Sequence, residues 1–225
     1  INVCVIDKGL HPGDLKFVDM DGDGIIAPTT SAKDVKDQVV IGNSLPRFTH
    51  TLRLSATYAG FDLSLLFNGV GMQHWYPGSN TGLFWGPYAR PFQTYIPRDF
   101  MADVWTEENP NAYFPRPRGY VAFAGDGGAR ELASVNNRYL QNVGYFRLKN
   151  LTFGYSLPKK VLQKLNIENL RVYFSGENLF TATPLKSKYI DPAVAGATTT
   201  WKTGNTDCYG YPTARAYSFG LDITF

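Results

Sequence analysis

The last eleven residues, 215–225, restrict the possible folds more than any other stretch of the chain. Every second position there is apolar, namely Tyr217, Phe219, Leu221, Ile223 and Phe225. Small or polar residues fill the positions between them, so the stretch predicts a β-strand with one apolar and one polar face. Eleven residues span about 36 Å, enough to cross an apolar membrane band of roughly 25 Å when the strand is tilted. The pattern fits a transmembrane barrel strand, and it also fits a strand of a soluble sandwich.

The composition removes several other classes of protein. No apolar run approaches the length of about 18 residues that a transmembrane helix needs. The net charge of +3 is small and its carriers are scattered, so nucleic-acid binding is not expected. Cys4 and Cys208 form neither a disulfide framework nor a metal motif. Because the chain begins without an initiator Met or a signal sequence, we expect it to be a piece of a longer protein.

Alternation of apolar and polar residues recurs in four earlier segments. The predicted strands are 48–58, 61–71, 145–155, 168–178 and 215–225. The third strand changes phase, which predicts a β-bulge near Lys149 and Asn150. The connections alternate in length: 59–60 and 156–167 are short, whereas 72–144 and 179–214 are long. Outer-membrane barrels have short periplasmic turns and long extracellular loops, so this order predicts an all-β, antiparallel transmembrane β-barrel segment. Its extracellular loops would be 1–47, 72–144 and 179–214.

An acidic loop near the start of the chain resembles the opening of a calcium-binding loop. Asp19, Asp21 and Asp23 occupy positions one, three and five, a glycine follows at position six, and the carbonyl of Ile25 would be the ligand at position seven. Alternate spacing lets three carboxylates converge on one hard cation. The pattern fails at position twelve, where Thr30 replaces the usual glutamate. We predict a structural Ca²⁺ site, and the alternative is an Asp/Gly turn that binds nothing.

The long loops carry many aromatic residues but no catalytic arrangement. The candidate substrate-binding residues are Trp75, Tyr76, Trp85, Tyr88 and Trp201, since exposed rings on polar loops suit sugar or protein partners. The alternative is that most of these rings pack the loops against themselves. Glu107 and Glu108 are adjacent and would point apart on a strand, and the three histidines have no ligand spacing. We therefore predict that the chain is not an enzyme.

Five stretches, in the same order, resemble signature segments of the SusC/RagA-type TonB-dependent transporters. These stretches are residues 12–25, 41–48, 146–160, 170–180 and 217–225. The resemblance implies a 22-stranded barrel in the outer membrane of a Gram-negative bacterium of the Bacteroidetes type, with an N-terminal plug and a TonB box. It also implies a SusD-like lipoprotein lid, and import of oligosaccharides or peptides driven through TonB.

The resemblance places this chain in the C-terminal part of such a barrel. The plug and the TonB box are absent from the 225 residues, and five strands cannot close a barrel. The chain would then form barrel wall, in contact with outer-membrane lipid, and outer loops. The alternative from another class is a secreted all-β module that binds glycans or mediates adhesion through its loop aromatics.

Overall fold

The computed structural model describes residues 11–27, 31, 33–79, 81–89, 96–117, 131–163, 167–197 and 213–225. Its main element is a five-stranded antiparallel sheet. The strands are β1 (Phe48–Tyr58), β2 (Phe61–Gly71), β5 (Tyr145–Ser156), β6 (Asn169–Ala182) and β7 (Ala216–Thr224), and they pair in this order. Two short strands, β3 (His74–Trp75) and β4 (Gln141–Asn142), form a separate pair.

The helices are few and short. They are α1 (Gly82–Trp85), α2 (Lys159–Leu162) and α3 (Pro192–Ala197), together with 3-10 turns at Gly86–Tyr88 and Phe100–Asp103. The second of these turns ends at Asp103, because Val104 turns away to pair with Phe114. In the described part of the chain, no helix has the length and apolar character needed to cross a membrane.

The tight connection between β1 and β2 has the backbone of a two-residue hairpin turn. Ala59 and Gly60 both have positive φ, at 50° and 88°. Two-residue hairpins favour such turns because their twist matches that of the flanking strands. The register continues from this turn to the far end of the hairpin, where Phe48 pairs with Gly71.

A bulge at Lys149 keeps one apolar face on β5, as the phase change in its sequence predicts. In the β2–β5 ladder Leu66 pairs with Asn150 and Phe67 pairs with Leu148, so Lys149 has no opposing residue. The ladder with β6 shifts at the same place. The extra residue restores the alternation on both sides of the bulge.

Strand β6 is longer than the sequence predicts. The prediction ends the strand at Asn178, whereas the structure continues it to Ala182. Asn178 has a φ of 53° and lies where the β5–β6 register shifts. Asn178 therefore does not end the strand. It forms an irregularity within β6, because the residues that follow it pair with β5.

The two faces of the sheet differ chemically over most of its length. One row on the first face consists of Ala56, Leu63, Phe153, Phe174 and Phe219. The adjacent row on the opposite face consists of Ser55, Ser64, Thr152, Ser175 and Ser218. Much of the apolar face is exposed among the described residues, and Phe219 retains 83% of its surface.

An ion-pair network crosses the polar face near the β1–β2 turn. The guanidinium of Arg171 on β6 donates two hydrogen bonds to Asp62 on β2, of 2.9 and 2.7 Å, and one of 3.0 Å to Asp222 on β7. It reaches β2 by passing over β5 at Gly154. A Cβ atom at position 154 would lie 2.5 Å from Oδ1 of Asp62 and 2.7 Å from Nε of Arg171. Only a glycine leaves room for this crossing.

We predict that Gly154→Leu lowers the free energy of unfolding by about 1–3 kcal/mol, because the new side chain displaces the Arg171–Asp62 pair. Denaturant unfolding of the variant and the parent protein measures the difference. Thr152→Val is the matched control, since it changes the same face of β5 one row away without adding volume. Equal stability of Gly154→Leu and the parent would contradict the role given to Gly154.

Candidate ligand and metal sites in the loops

The long loop between β2 and β5 packs around its own aromatic core. The β3–β4 pair joins the two ends of the loop, through His74–Asn142 and Trp75–Gln141. The buried cluster includes Trp75, Phe84, Trp85, Tyr88, Phe100, Val104, Phe114, Leu132, Tyr139 and Val143. Ring centroids lie 5.0 Å apart for Trp85 and Tyr139 and 4.7 Å apart for Phe100 and Phe114. Within the described residues, this loop contains most of the buried apolar side chains of the chain.

Two tyrosines, one partly buried and one buried, support this core through their hydroxyl groups. Tyr76 donates to the carbonyl of Leu132 at 2.8 Å and accepts from Asn136 at 2.9 Å. Tyr88 donates to the carbonyl of Pro115. Burial raises the pKa of both phenols far above its usual value, so each keeps its proton and remains a donor.

The predicted substrate-binding aromatics occupy three kinds of position. Trp75 is 2% exposed, and Trp85 and Tyr88 are fully buried. Tyr76 is partly buried and uses its hydroxyl group within the loop. Trp201 lies outside the described residues. The burial of three rings agrees with the alternative that the aromatics pack the loop against itself. A substrate-binding role for the five stays a prediction, and three of them present no open ring face in this structure.

The acidic loop brings three carboxylates together, but not the three expected from its spacing. Ligand oxygens of Asp19, Asp21 and Asp37 all lie within 4.8 Å of one another. Asp23 is not in this group, and its carboxylate accepts the backbone N–H of Ile25 at 2.7 Å. Asp37 lies outside the twelve-residue frame of a calcium loop, so sequence spacing gives no signal for it.

Backbone hydrogen bonds hold this loop in place. Asp19 accepts from the N–H groups of Gly22 and Gly24, at 2.7 and 2.9 Å, and both glycines have positive φ. Asp37 accepts from Ala27 at 2.7 Å and from Met20 at 2.6 Å. These bonds lower the pKa of the Asp37 carboxyl and keep it charged. The bond from the N–H of Ala27 has the largest effect. The resulting oxygen-rich group has the donor chemistry that hard divalent cations prefer.

A polar cleft separates the segment 13–17 from the long loop. Its volume is about 420 Å³, and its walls include Lys16, Trp105 and Arg138. The guanidinium of Arg116 joins the two sides by donating to both carboxylate oxygens of Asp14, at 3.2 and 3.1 Å. This pair fixes the segment that leads into the acidic loop against the loop core.

A buried ion pair attaches the second long loop to the sheet. Nη2 of Arg147, on the polar face of β5, lies 2.6 Å from Oδ1 of Asp191, and the two side chains are only 9% and 6% exposed. Arg147 also donates to Thr181 on β6 at 2.9 Å. Asp191 accepts further bonds from Thr213 and from the N–H of Ala193, at 2.8 and 2.9 Å. Asp191 therefore orders the start of α3 and the approach to β7 as well.

The charge state of Asp191 reflects two opposing effects. Burial by itself raises the pKa of a carboxyl group, but the bonds from Arg147, Thr213 and Ala193 outweigh it, and the net pKa is lowered. Because the pKa is lower in the folded state, the stabilisation is complete above the ordinary value of 3.8. It is lost as the pH falls below that value and through the folded-state pKa.

Curated proteins resemble this chain over nearly its full length. It is 32% identical over 219 residues to TonB-dependent receptor P3 of Formosa agariphila, which covers 95% of this chain and 19% of that protein. The resemblance to TonB-dependent receptors is confirmed. TonB-dependent receptor P26 of the same organism is 27% identical over 223 residues, covering 95% of this chain and 20% of that receptor. The chain thus spans about a fifth of the length of these receptors. No family model matches it.

Solved structures show the same fold. The RagAB peptide importer in its open-open state matches with a TM-score of 0.57 and 21% identity, over 93% of this chain and 20% of the matched chain. Its closed-closed state matches with a TM-score of 0.53 and 22% identity, over 87% and 20%. The similar proteins are named as receptors and importers, which fits the expectation that this chain is not an enzyme.

We predict that Arg147→Met lowers the free energy of unfolding by about 3–5 kcal/mol, because it leaves the buried Asp191 carboxylate without its cation. Denaturant unfolding reports the loss, and limited proteolysis within 183–197 reports release of the loop. The double variant Arg147→Met/Asp191→Leu removes both charges and should recover much of the stability. The single variant Asp191→Leu completes the comparison. If the loss of unfolding free energy in the double variant equals the sum of the losses in the two single variants, the residues are not coupled and the ion pair does not hold the loop.

Proposed function

We propose that this chain forms wall and outer loops of a TonB-dependent transporter in the bacterial outer membrane. The observation that carries the proposal is the apolar face that continues across all five strands and remains exposed. Soluble monomers rarely expose a continuous apolar surface of this extent, whereas a lipid bilayer would cover it. The similarity to TonB-dependent receptors over 95% of the chain supports the same conclusion.

The architecture that we propose is a closed, antiparallel barrel of 22 strands, of which β1, β2, β5, β6 and β7 form the C-terminal segment. Unpaired strand edges are not tolerated in lipid, so β1 and β7 would each pair with further strands of a longer protein. The connections 59–60 and 157–168 would face the periplasm, and the loops 1–47, 72–144 and 183–215 would face outward. A plug and a TonB box would lie in other parts of the protein.

Active import would then be carried out by other parts of the longer protein and by its partner proteins. We propose that TonB supplies the energy through the plug, and that a SusD-like lipoprotein covers the outer loops. The substrate would be an oligosaccharide or a peptide. The description of the structurally similar RagAB proteins as a peptide importer supports a substrate of this kind. The location would be the outer membrane of a Gram-negative, Bacteroidetes-type cell.

The membrane proposal predicts opposite results for two neighbouring residues of β1. Leu54→Arg should prevent accumulation in the outer membrane, because an arginine on the lipid face near mid-membrane costs about 2–4 kcal/mol. Ser55→Arg faces the polar side of the same strand and is the matched control. The measurement is the amount of each full-length variant in detergent-extracted outer membranes, detected with an antibody against the loop 183–215.

The alternative, a secreted glycan-binding or adhesion module, predicts a different outcome. There Leu54 would be an exposed surface residue, and its replacement by arginine would change stability by no more than about 0.5 kcal/mol. The transporter proposal would be overturned if Leu54→Arg accumulated as well as the parent protein and both appeared as a water-soluble band of the mass of this chain. An outer-membrane band several times heavier would support it.

We also propose that the acidic loop holds a structural Ca²⁺, with Asp37 as an additional ligand beside Asp19, Asp21, Asp23 and the carbonyl of Ile25. The cluster of Asp19, Asp21 and Asp37 oxygens supports the proposal, since three carboxylates at this spacing offer several oxygens to one hard cation. The ion would join the segment around position 20 to that around position 37.

Calcium should raise the free energy of unfolding by about 2.7 kcal/mol at a hundredfold excess over its Kd. Asp19→Asn and Asp37→Asn should each reduce that gain, as measured by thermal unfolding with Ca²⁺ and with EGTA. Glu108→Gln is the control, because Glu108 is an exposed carboxylate of the other loop. If Asp37→Asn keeps the full gain while Asp23→Asn loses it, the ligands are those of the sequence motif without Asp37.

A further inference from the structure

The polar cleft between the segment 13–17 and the long loop is lined by hydrogen-bond donors that are not in use. Lys16 and Asn137 line the cleft from opposite sides of the chain break between these segments, and both are exposed. Among the described residues, neither side chain makes a hydrogen bond or an ion pair. The indole N–H of Trp105, which also lines the cleft, has no acceptor in that part of the chain either. A ligand can therefore use these donors without first breaking a contact within the protein.

Arg138 adds a fixed positive charge to the wall of the cleft. Its Nε donates to the carbonyl of Tyr113 at 3.0 Å, and its Nη2 donates to the carbonyl of Ala112 at 2.6 Å. The guanidinium carbon also lies 5.9 Å from the ring centroid of Tyr139. These partners are uncharged, and no carboxylate of the described residues pairs with Arg138. A guanidinium that is held by neutral groups remains a full positive charge for a ligand.

The acidic side chain of the cleft is already engaged. Among the described residues that line the cleft, Asp14 is the only acid. Its two carboxylate oxygens accept from Arg116, at 3.2 and 3.1 Å, and its side chain is only 1% exposed. The cleft therefore offers two cations and several neutral donors to a ligand, but no carboxylate that could receive a positively charged group.

This arrangement discriminates between classes of ligand. A neutral oligosaccharide would leave both cations without a counter-charge, and the ammonium group of a peptide would meet no free carboxylate. A sugar acid brings a carboxylate for Lys16 or Arg138, and its ring and hydroxyl oxygens can accept from the neighbouring donors. The volume of about 420 Å³ lies within the range of small-molecule sites.

We infer that this cleft binds acidic oligosaccharides through the carboxylate of a sugar acid. The inference rests on the proposed transport function and restricts its substrate to a class that is neither a peptide nor a neutral sugar. Lys16 is the residue to test first, because it makes no contact whose loss would disturb the fold.

Isothermal titration calorimetry on the intact, longer protein in detergent tests the inference, with digalacturonic acid as the probe. We expect binding of this acid, and at least about tenfold weaker binding of its neutral counterpart galactobiose and of glutamyl-glutamate. Lys16→Met should weaken binding of the acid about tenfold without affecting galactobiose, and Lys16→Arg should retain binding. Lys36→Met is the matched control, because Lys36 belongs to the same N-terminal loop but pairs with Asp34 outside the cleft.

Four results would overturn the assignment. They are equal binding of digalacturonic acid and galactobiose, equally tight binding of glutamyl-glutamate, an unchanged affinity for the acid in Lys16→Met, and no binding of the acid by protein with an unaltered circular dichroism spectrum. Each of these leaves outer-membrane transport intact as a proposal. Failure of the transport proposal itself has a separate signature, which is the absence of the protein from the outer membrane.

Discussion

One unpaired residue, Lys149, keeps the two faces of the sheet chemically separate. A strand exposes successive side chains on opposite faces, so a shift of one residue exchanges the faces of everything beyond it. On β5 the bulge returns Leu148 and Phe146 to the face that Leu151 and Phe153 already occupy. Without it, Arg147 would project from the apolar face, away from Asp191. The separation of the faces and the attachment of the second loop thus depend on the same local irregularity.

The polar face acts as the platform for the loops. Arg147 fixes the loop that contains Asp191, and the β3–β4 pair fixes both ends of the loop between β2 and β5. The two loops meet where Lys186 contacts Asp103 and Tyr113. In consequence, most of the buried apolar surface described here belongs to the loops, while the sheet leaves its own apolar face open. This distribution is the reverse of that in a soluble sandwich, where the sheets enclose the core.

The sequence predicts the strands well because an alternation of period two is a local property. It predicts the bulge on β5 for the same reason, since the change of phase is visible in residues 146–153. It does not predict the extension of β6 past Asn178, because that continuation depends on pairing with β5. Neither the burial of Trp85 nor the approach of Asp37 to Asp19 has a sequence signal, since both arise from contacts between residues far apart in the chain. The aromatic content of the loop indicates a hydrophobic cluster or an exposed binding surface equally well.

The closed ends of the long loop also have a kinetic consequence. Pairing β2 with β5 brings together segments separated by 73 residues, 72–144, and the entropy of closing a loop increases with its length. Contacts between distant residues slow folding for this reason. A loop that first gathers around Trp85 and Phe114 and joins its ends through β3 and β4 presents β2 and β5 to each other as near neighbours. We expect this aromatic core to shorten the effective connection between β2 and β5, so that their ladder closes at a smaller cost in chain entropy.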